Sequence, residues 1–226
     1  MLGLYLVLVT VVSYLIGAIP IGAVVAAYKK IDIAQHGSGK IGTTNVLRTV
    51  GRRAAAVVLV GDALKGIVAV LLTRWAEPLF VAGDGRLDLW GFQTSVLTVA
   101  TLLASGAVVA GHVWSLYLRI VYGKWHGGRG VVTAMGAILI VNPWVILLAV
   151  LVGGTAIAIS RYVSLGSIVG SVTAALAIVA WVAMGQMDVL SLLFTTIAVF
   201  VIAVHKDNIE RLLKGTERKL GERARV

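Results

Sequence analysis

The chain contains four segments whose residue types suit the binding of a phosphate group. In the first, residues 32–48, three glycines within six residues let backbone N–H groups converge on an anion, and an arginine adds a charged planar fork. The candidate ligands of this segment are Gly37, Ser38, Gly39, Gly42, Thr44, Asn45 and Arg48. The segment is not a P-loop, because Lys40 precedes the last glycine. The alternative interpretation is a flexible basic connector between two membrane spans.

The second segment places two glycines and an arginine where a helix must begin. Gly127, Gly128 and Arg129 precede an apolar run, and a helix N-terminus offers free N–H groups and a partial positive charge to an anion. His112 lies upstream, at the end of another apolar run. Such a histidine is either a catalytic group or a hydrogen-bonded residue of the membrane interface.

Two shorter segments add arginines close to hydroxyl, amide and imidazole groups. Arg161 and Ser164 lie in a tight turn between two apolar runs, which also fits a basic anchor followed by an N-cap serine. His205, Asn208 and Arg211 are spaced i, i+3 and i+6, so a helix that continues the last apolar run would carry them broadly on one face. The alternative is a basic helix lying on anionic lipid, which explains the nearby lysines but not this shared face.

Two opposite charges interrupt an otherwise apolar run. Asp62 and Lys65 lie three residues apart, so they can pair with each other on one helix face. A charge inside a bilayer costs at least about 2.5 kcal/mol, which makes a role in a polar cavity an equally good interpretation. Both interpretations stay open from the sequence.

The remaining residue types exclude several kinds of chemistry. Carboxylates are scarce near the four segments, which disfavours paired-carboxylate catalysis and a hard-cation site. The chain has no cysteine, no Gly-x-Ser-x-Gly elbow and no His-Glu-x-x-His helix, so we expect neither a metal nor another cofactor. The pattern predicts one or two phosphorylated substrates at a membrane interface, with apolar helices that can accept an acyl chain.

The composition identifies the elements that must position these residues. Of the 226 residues, 59% are hydrophobic and only 13% are charged, against roughly 25% charged in a soluble domain. This composition excludes a soluble globule and a disordered chain. We therefore expect residues 1–226 to form one all-α integral membrane domain.

The apolar runs predict about seven transmembrane helices. A helix needs about 20 apolar residues to span the membrane, and the uncharged run 130–160 is too long for one span. Asn142-Pro143 is a helix-ending dipeptide that divides this run. The predicted spans are roughly 3–27, 54–73, 94–114, 130–141, 144–160, 165–183 and 189–204.

The distribution of charge predicts the orientation of these spans. With the N-terminus outside and the C-terminus in the cytoplasm, 17 of the 20 Lys and Arg residues lie on the inner side. Basic residues favour the cytoplasmic side, so seven spans fit the charges and six do not. The first span has no basic residues before it, which favours an N-out anchor over a cleaved signal peptide.

These motifs resemble those of a known enzyme family. The chain is similar to the bacterial acyl-phosphate:glycerol-3-phosphate acyltransferases, the PlsY family, in motifs that follow the family order over nearly its whole length. The matching residues are Ser13, Ile19-Pro20, Gly37-Ser38-Gly39, Gly42, Thr44-Asn45, Arg48, Asp62, Lys65-Gly66, Gly111-His112, Gly127-Gly128-Arg129-Gly130-Val131, Thr133, Arg161-Tyr162-Val163-Ser164-Leu165, His205, Asn208-Ile209 and Arg211-Leu212. The chain departs from the family pattern at Lys40, Ser115 and Arg129, where the family usually has Asn, Pro and Lys.

The resemblance implies a seven-helix enzyme of the bacterial inner membrane with its active site on the cytoplasmic side. It would transfer a fatty acyl group from acyl phosphate to the 1-hydroxyl of glycerol 3-phosphate, without a covalent acyl-enzyme or a cofactor. Its partners would be these two substrates and membrane lipid, and not nucleic acid. Carried over, the catalytic residues are His112, His205 and Asn208. The substrate-binding residues are Gly37, Ser38, Gly39, Thr44, Asn45, Arg48, Gly127, Gly128, Arg129, Arg161, Ser164 and Arg211.

Two functions from other classes also fit parts of the sequence. A transporter or channel for a small organic phosphate would need intramembrane charge and a basic vestibule, although here almost nothing polar lies near the outer face. A structural lipid-binding membrane protein would need only the basic inner surface. Enzymatic turnover distinguishes the acyltransferase from both.

Overall fold

The apolar runs of the sequence fold into helices. The computed structural model describes residues 1–89, 91–123 and 125–222; Lys124, Arg223 and Arg225, counted above as inner basic residues, lie outside them. The helices are α1 (Leu2–Ala18), α2 (Ile21–Tyr28), α3 (Thr43–Thr49), α4 (Arg52–Phe80), α5 (Val96–Val113), α6 (Leu116–Tyr122), α7 (Val131–Val141), α8 (Pro143–Ser160), α9 (Val163–Ala183), α10 (Thr195–Ala203) and α11 (Lys206–Leu213). Two 3-10 segments, Ile33–Gln35 and Val189–Phe194, and two strands, β1 (Arg86–Leu89) and β2 (Phe92–Ser95), are also present.

Each of the seven predicted spans coincides with an apolar helical stretch. Five stretches are long and apolar enough to cross a membrane: Leu2–Tyr28, Arg52–Phe80, Val96–Tyr122, Pro143–Ser160 and Val163–Ala183. A bent pair, residues 189–203 with α11, adds a sixth, and α7 is a shorter apolar helix of 11 residues. The prediction of a helical membrane protein is therefore confirmed, while the number seven and the orientation stay predictions.

On the side away from the candidate residues, the structure differs from the sequence prediction in one helix end and one loop. The second span was expected to end at residue 73, but α4 continues to Phe80 and carries Pro78 in its last turns. The following loop contains an antiparallel hairpin, β1 with β2, so the described chain is not purely helical. Asp88 builds its turn, since its carboxylate accepts from the Gly91 amide at 2.8 Å and from the side chain of Gln93 at 2.9 Å.

The first predicted span is broken at Ile19-Pro20, where α1 ends and α2 begins. Because the break frees backbone carbonyls inside the protein, they need other donors. Lys65 Nζ donates to the carbonyls of Gly17 at 3.2 Å and Ile19 at 2.9 Å, and the hydroxyl of Ser115 donates to Ala18. Lys65 Nζ also lies 2.8 Å from Asp62 Oδ1. The intramembrane charges therefore pair with each other and also stabilise the broken helix.

Close helix packing depends on glycines that leave no room for a side chain. A Cβ on Gly66 of α4 would collide with the backbone of α7 at Thr133, and one on Gly136 would collide with Ala63 of α4. Such small residues let helix backbones approach closely in membranes, where lipid gives little hydrophobic drive for association. The short helix α7 is held in this way directly against α4.

The C-terminal segment differs from the sequence prediction in direction. Helix α11 does not continue the last apolar stretch but bends from it by 56°, with His205 at the bend. Ser164 is not the N-cap of α9 either; Tyr162 occupies that position, and the Ser164 hydroxyl bonds a residue of the C-terminal tail instead. Both differences bring polar side chains to the same end of the helix bundle.

Candidate active site

Most of the predicted site residues line one polar cavity of about 390 Å³ at one end of the helix bundle. The predicted residues on its wall are Gly37, Ser38, Thr44, Asn45, Arg48, His112, Arg129, Ser164, His205, Asn208 and Arg211. Gly39, Gly127, Gly128 and Arg161 are not on the wall. The four segments singled out in the sequence are thus brought together by the fold.

The side chain of Asn45 organises the first glycine-rich loop. Its Oδ1 accepts from the backbone amide of Ser38 at 3.0 Å, and its Nδ2 donates to the carbonyls of His36 at 3.0 Å and Lys40 at 2.9 Å. Gly37 has φ +65°, and a Cβ there would collide with Asn45 Oδ1. Because both amide hydrogens of Asn45 are used within the loop, this residue shapes the cavity wall through its neighbours.

The second glycine-rich loop packs back onto the end of α5. The Gly128 amide donates to the His112 carbonyl at 3.1 Å, and the Ser115 amide donates to the His126 carbonyl at 3.2 Å. A Cβ on Gly127 would meet backbone oxygens of α5, and one on Gly128 would meet the imidazole of His112. These two glycines therefore act behind the wall, where their missing side chains allow the loop to approach His112.

This loop delivers Arg129 to the start of α7. Gly130 adopts φ +75° as the N-cap and provides no side-chain cap, and Gly130, Val131 and Val132 line the cavity beside Arg129. Arg129 is largely enclosed, and burial lowers its pKa below the ordinary value, yet a guanidinium stays charged near neutral pH. Its Nε has no protein partner among the described residues, so it is available to an anion.

The two buried histidines on the wall differ in the contacts of Nδ1. His205 Nδ1 lies 2.7 Å from the Val201 carbonyl, which can only accept, so the neutral ring keeps a lone pair on Nε2. His112 Nδ1 lies 3.1 Å from Lys65 Nζ. Lys65 already directs its three hydrogens to Gly17, Ile19 and Asp62, and His112 Nδ1 also lies 3.6 Å from Asp62 Oδ1, so these contacts are compatible with either neutral tautomer of His112. The cavity therefore has one imidazole acceptor, on His205, and a second imidazole on His112.

Glu217 is the main site residue that sequence reasoning missed. It is only 8% exposed, and its carboxylate accepts from Ser164 Oγ at 2.9 Å, Asn208 Nδ2 at 2.8 Å and Arg211 Nε at 2.7 Å. Burial alone would raise the pKa of Glu217, but the bonds from Arg211, Asn208 and Ser164 outweigh it and lower the pKa below its ordinary value. Nothing in the sequence singled it out, because Asp207, Glu210 and Glu222 lie in the same basic segment.

The wall of the cavity is cationic overall. It carries five basic side chains and two acidic ones: Lys40, Arg48, Arg129, Arg211 and Arg218 against Asp62 and Glu217. Thr43 Oγ1 and Asn208 Oδ1 are further buried wall atoms without a protein partner in the described part of the chain. Among the same residues, no three His, Asp or Glu side chains gather as metal ligands would. Cations beside unused polar groups are suited to a phosphorylated ligand.

A second, apolar cavity of about 200 Å³ adjoins the polar one. It lies among α7, α8, α9 and the last apolar stretch, and its wall is formed mainly by aliphatic side chains and glycines such as Gly153 and Gly170. Val131, Met135 and Ile157 line both cavities, so the two spaces share a boundary. An extended apolar group could therefore lie beside a phosphate held in the polar cavity.

Arg161 lies at the exposed end of α8, outside both cavities. Its Nη2 donates to the Leu220 carbonyl at 3.0 Å, and its own carbonyl accepts from the Leu220 amide at 2.7 Å. The predicted role of Arg161 in substrate binding has no support from this position.

Comparison with known proteins agrees with the motifs. A family model described as glycerol-3-phosphate acyltransferase matches residues 7–215. A glycerol-3-phosphate acyltransferase of Desulforamulus reducens is 42% identical over 219 residues, which are 96% of each chain. One of Thermoanaerobacter pseudethanolicus is 38% identical over 224 residues, covering 99% of this chain and all of the relative.

Two solved structures share the fold. The crystal structure of PlsY (YgiH), an integral membrane glycerol 3-phosphate acyltransferase, in its glycerol 3-phosphate form has a TM-score of 0.76 at 33% identity, covering 96% of both chains. Its lysophosphatidic acid form has a TM-score of 0.74 at 33% identity, covering 96% of this chain and 95% of that one. The likeness to one integral membrane protein extends over almost the whole chain, as the motifs predicted. This chain belongs to the PlsY family of glycerol-3-phosphate acyltransferases.

Proposed function

We propose that the protein transfers a fatty acyl group from acyl phosphate to the 1-hydroxyl of glycerol 3-phosphate, giving lysophosphatidic acid and phosphate. The observation that carries this function is the shared boundary between a cationic cavity and an apolar one. The relatives are named glycerol-3-phosphate acyltransferases, which supports the acceptor. A product that combines a phosphate with an acyl chain requires both kinds of space.

The charge of the polar cavity supports acyl phosphate as the donor. Five basic and two acidic side chains leave a net charge of +3 on its wall. Near pH 7 each phosphate monoester carries about −1.5 to −2 charges, so two phosphorylated substrates match this wall better than one. A thioester donor would bring no phosphate to the acyl carbon. The acyl chain of the donor would extend into the apolar cavity while its phosphate stays among the arginines.

The reaction balances without an outside reagent. The glycerol hydroxyl oxygen forms a bond to the acyl carbon, the bond from that carbon to the phosphate oxygen breaks, and the hydroxyl proton ends on the released phosphate. Catalysis then consists of positioning two anions together and stabilising the charge that develops on the acyl oxygen, effects worth several kcal/mol each. This chemistry needs donors and cations more than it needs a strong base.

The hydrogen bonds of each wall residue indicate whether it positions a substrate or stabilises the developing charge. His205 Nε2, with its lone pair, accepts from the attacking hydroxyl and orients it. In the tautomer that carries its hydrogen on Nε2, His112 donates toward the developing oxyanion. Asn208 directs its unpartnered Oδ1 to the glycerol while Glu217 fixes its Nδ2. Arg48 and Arg129 hold phosphate groups.

The sharing of one cavity by distant segments supports seven spans. Residues 37–48 follow the first apolar stretch, Leu2–Tyr28, which is counted as one crossing. Helices α4 and α5 then separate them from His112, α7 and α8 separate Arg129 from Ser164, and α9 with the last apolar stretch separates Ser164 from His205. Because these groups lie at one end of the bundle, each interval crosses the membrane an even number of times. One crossing followed by three pairs gives seven.

With seven spans, we expect the N-terminus opposite the cavity and the C-terminus beside it. Basic residues concentrate at the cavity end, which favours the cytoplasmic face of the bacterial inner membrane. The chain has no cysteine, so single cysteines report sidedness cleanly. A cysteine replacing Ser38 should be shielded from an impermeant thiol reagent outside intact cells, while one replacing Asp84 should react. The reverse labelling would contradict this orientation.

Turnover by the purified protein tests the function. With palmitoyl phosphate and glycerol 3-phosphate it should form lysophosphatidic acid and phosphate in equal amounts, whereas palmitoyl-CoA should not replace the donor. Asn208→Ala and Arg211→Ala should abolish most turnover, and Arg119→Ala, which removes an exposed cation outside the cavity, should not. Uptake of glycerol 3-phosphate into liposomes without acyl transfer would favour the transporter and overturn the proposal.

A further inference from the structure

The C-terminal tail, residues 215–222, is attached to the rest of the protein at several points around the polar cavity. Arg48 of α3, the helix that follows the first glycine-rich loop, donates through Nη2 to the Arg218 carbonyl at 2.8 Å. Arg161 holds Leu220 through one side-chain and one backbone bond, at 3.0 Å and 2.7 Å. Arg218 and Leu220, whose backbones are held, lie just after Glu217 in the sequence. Glu217 and Arg218 themselves line the cavity.

The segment that holds this tail is the third one identified from the sequence. Arg161 binds Leu220, the ring of Tyr162 lies 5.8 Å from Lys219 Nζ, and the hydroxyl of Ser164 binds Glu217. Three residues within four positions therefore contact the tail in succession. Arg161 and Ser164 therefore share one role in this turn, which is to contact the tail. This explains why they occur together although Arg161 does not reach the cavity.

The backbone of Arg161 indicates that its side chain has a specific use. Arg161 ends α8 with φ +63°, a left-handed conformation in which glycine is the favoured residue. This conformation turns its carbonyl to the Leu220 amide, a bond that glycine would also make. An arginine at such a position needs a contribution from its side chain, and the contact that the structure gives the guanidinium is the Leu220 carbonyl.

We propose that Arg161 is a positioning residue, which fixes the tail so that Glu217 holds Asn208 and Arg211 in place at the cavity. Arg161 does not touch the substrates; it acts through Leu220 and Glu217. The proposal deepens the acyltransferase function proposed above, on which its kinetic readout rests. It replaces the expectation from sequence that the Arg161 guanidinium binds a phosphate.

Tail attachment can be measured without turnover by limited trypsin digestion. Trypsin cleaves after Arg218 and Lys219, and a protease needs this backbone free, whereas here the Arg218 carbonyl and the Leu220 amide are hydrogen-bonded. In Arg161→Gly, which keeps the favoured backbone and removes only the side chain, we expect cleavage at these bonds to accelerate about tenfold. Arg161→Lys can restore one donor and should be protected. Arg119→Ala, the matched control for loss of an exposed inner cation, should be cleaved at the wild-type rate.

Kinetics of a shortened chain separate the proposed role from direct substrate binding. In the full chain Arg161→Gly should lower kcat about tenfold and Arg161→Lys should recover much of it. A chain that ends at Lys219 lacks the Leu220 contact, so adding Arg161→Gly to it should cause no further loss. Unchanged tryptic cleavage, a raised KM for one substrate in Arg161→Gly, or losses that multiply in the shortened chain would each overturn the proposal. A wild-type rate of tryptic cleavage in Arg161→Gly would overturn the proposed role of Arg161 even if the protein catalysed a different reaction.

Discussion

Substitution of Gly128 by alanine tests whether the orientation of His112 controls the reaction. Gly128 has a backbone conformation open to any residue, so alanine introduces no backbone strain there. Its Cβ, however, would overlap His112 Nε2 and lie 2.9 Å from Cδ2 and Cε1 of the ring. Ordinary contacts begin near 3.4 Å, so these ring carbons must withdraw by about 0.5 Å and Nε2 by more.

The ring cannot withdraw without cost, because its other nitrogen lies 3.1 Å from Lys65 Nζ and the residue is only 3% exposed. A displacement of about 1 Å at a reacting group can cost roughly 100-fold in rate. Removal of a donor to an oxyanion costs a similar factor, roughly 100- to 1,000-fold. We therefore expect Gly128→Ala and His112→Ala each to lower kcat about 100-fold.

The assay is steady-state turnover with both substrates saturating. It uses variant protein that elutes in detergent at the same volume as the wild type, which shows that the variant is folded. Gly106→Ala is the matched control, because Gly106 lies on the same helix, α5, and a Cβ there meets nothing within 4 Å. In the double variant the ring is gone, so Gly128→Ala should add no further loss to His112→Ala. Wild-type kcat in Gly128→Ala, or losses that multiply in the double variant, would refute the reasoning.

Three further substitutions test other parts of the site. Asn45→Ala removes three hydrogen bonds from the first loop and should raise the KM for glycerol 3-phosphate about tenfold, with faster proteolysis of the loop; an unchanged KM would contradict this. Arg129→Ala should lower kcat/KM about 100-fold and Arg129→Lys less, and equal losses would show that geometry outweighs charge. For Glu217, the folded-state pKa is lower than the ordinary 4.5, so its stabilisation is complete above that pH and lost as pH falls through the folded value. The difference in melting temperature between wild type and Glu217→Gln should stay constant from about pH 6 to pH 8 and shrink in acid; a change across neutral pH would contradict the assignment.

Residue type was enough to predict which segments of the chain come together at one cavity. Glycines beside arginines marked the segments that meet in the cavity, and apolar run lengths located every helical stretch that spans or enters the bundle. Functions that depend on partners far along the chain were not visible. Glu217 meets Ser164 across 53 positions, and nothing local distinguishes it from a surface acid. The partner of the Arg161 guanidinium is a backbone carbonyl, which has no signature in any sequence.

For Asn45 and Lys65 the structure adds contacts that the sequence does not show. Substrate binding by Asn45 stays a prediction; its amide hydrogens bond the carbonyls of His36 and Lys40, and its Oδ1 accepts from the Ser38 amide. Lys65 left two interpretations open, and it serves both, since it pairs with Asp62, caps the broken first span and contacts His112. A side chain that its residue type marks as a site residue can therefore act either directly on substrate or through its neighbours. The sequence does not distinguish these two roles, and the structure does.

Each acid of the cavity wall pairs with one cation, but only the partner of Glu217 is itself on the wall. Asp62 pairs with Lys65 at 2.8 Å and Glu217 pairs with Arg211 at 2.7 Å, so each carboxylate compensates one cation by direct contact. Arg129 keeps a buried Nε without a protein partner in the described residues, and Arg48 uses one nitrogen on the Arg218 carbonyl. A wall of five cations without Glu217 would leave Arg211 beside Asn208 and Ser164 with no fixed geometry. Under the proposed function, Arg48 and Arg129 should contribute most to substrate affinity, because no carboxylate of the described residues forms a salt bridge with either of them.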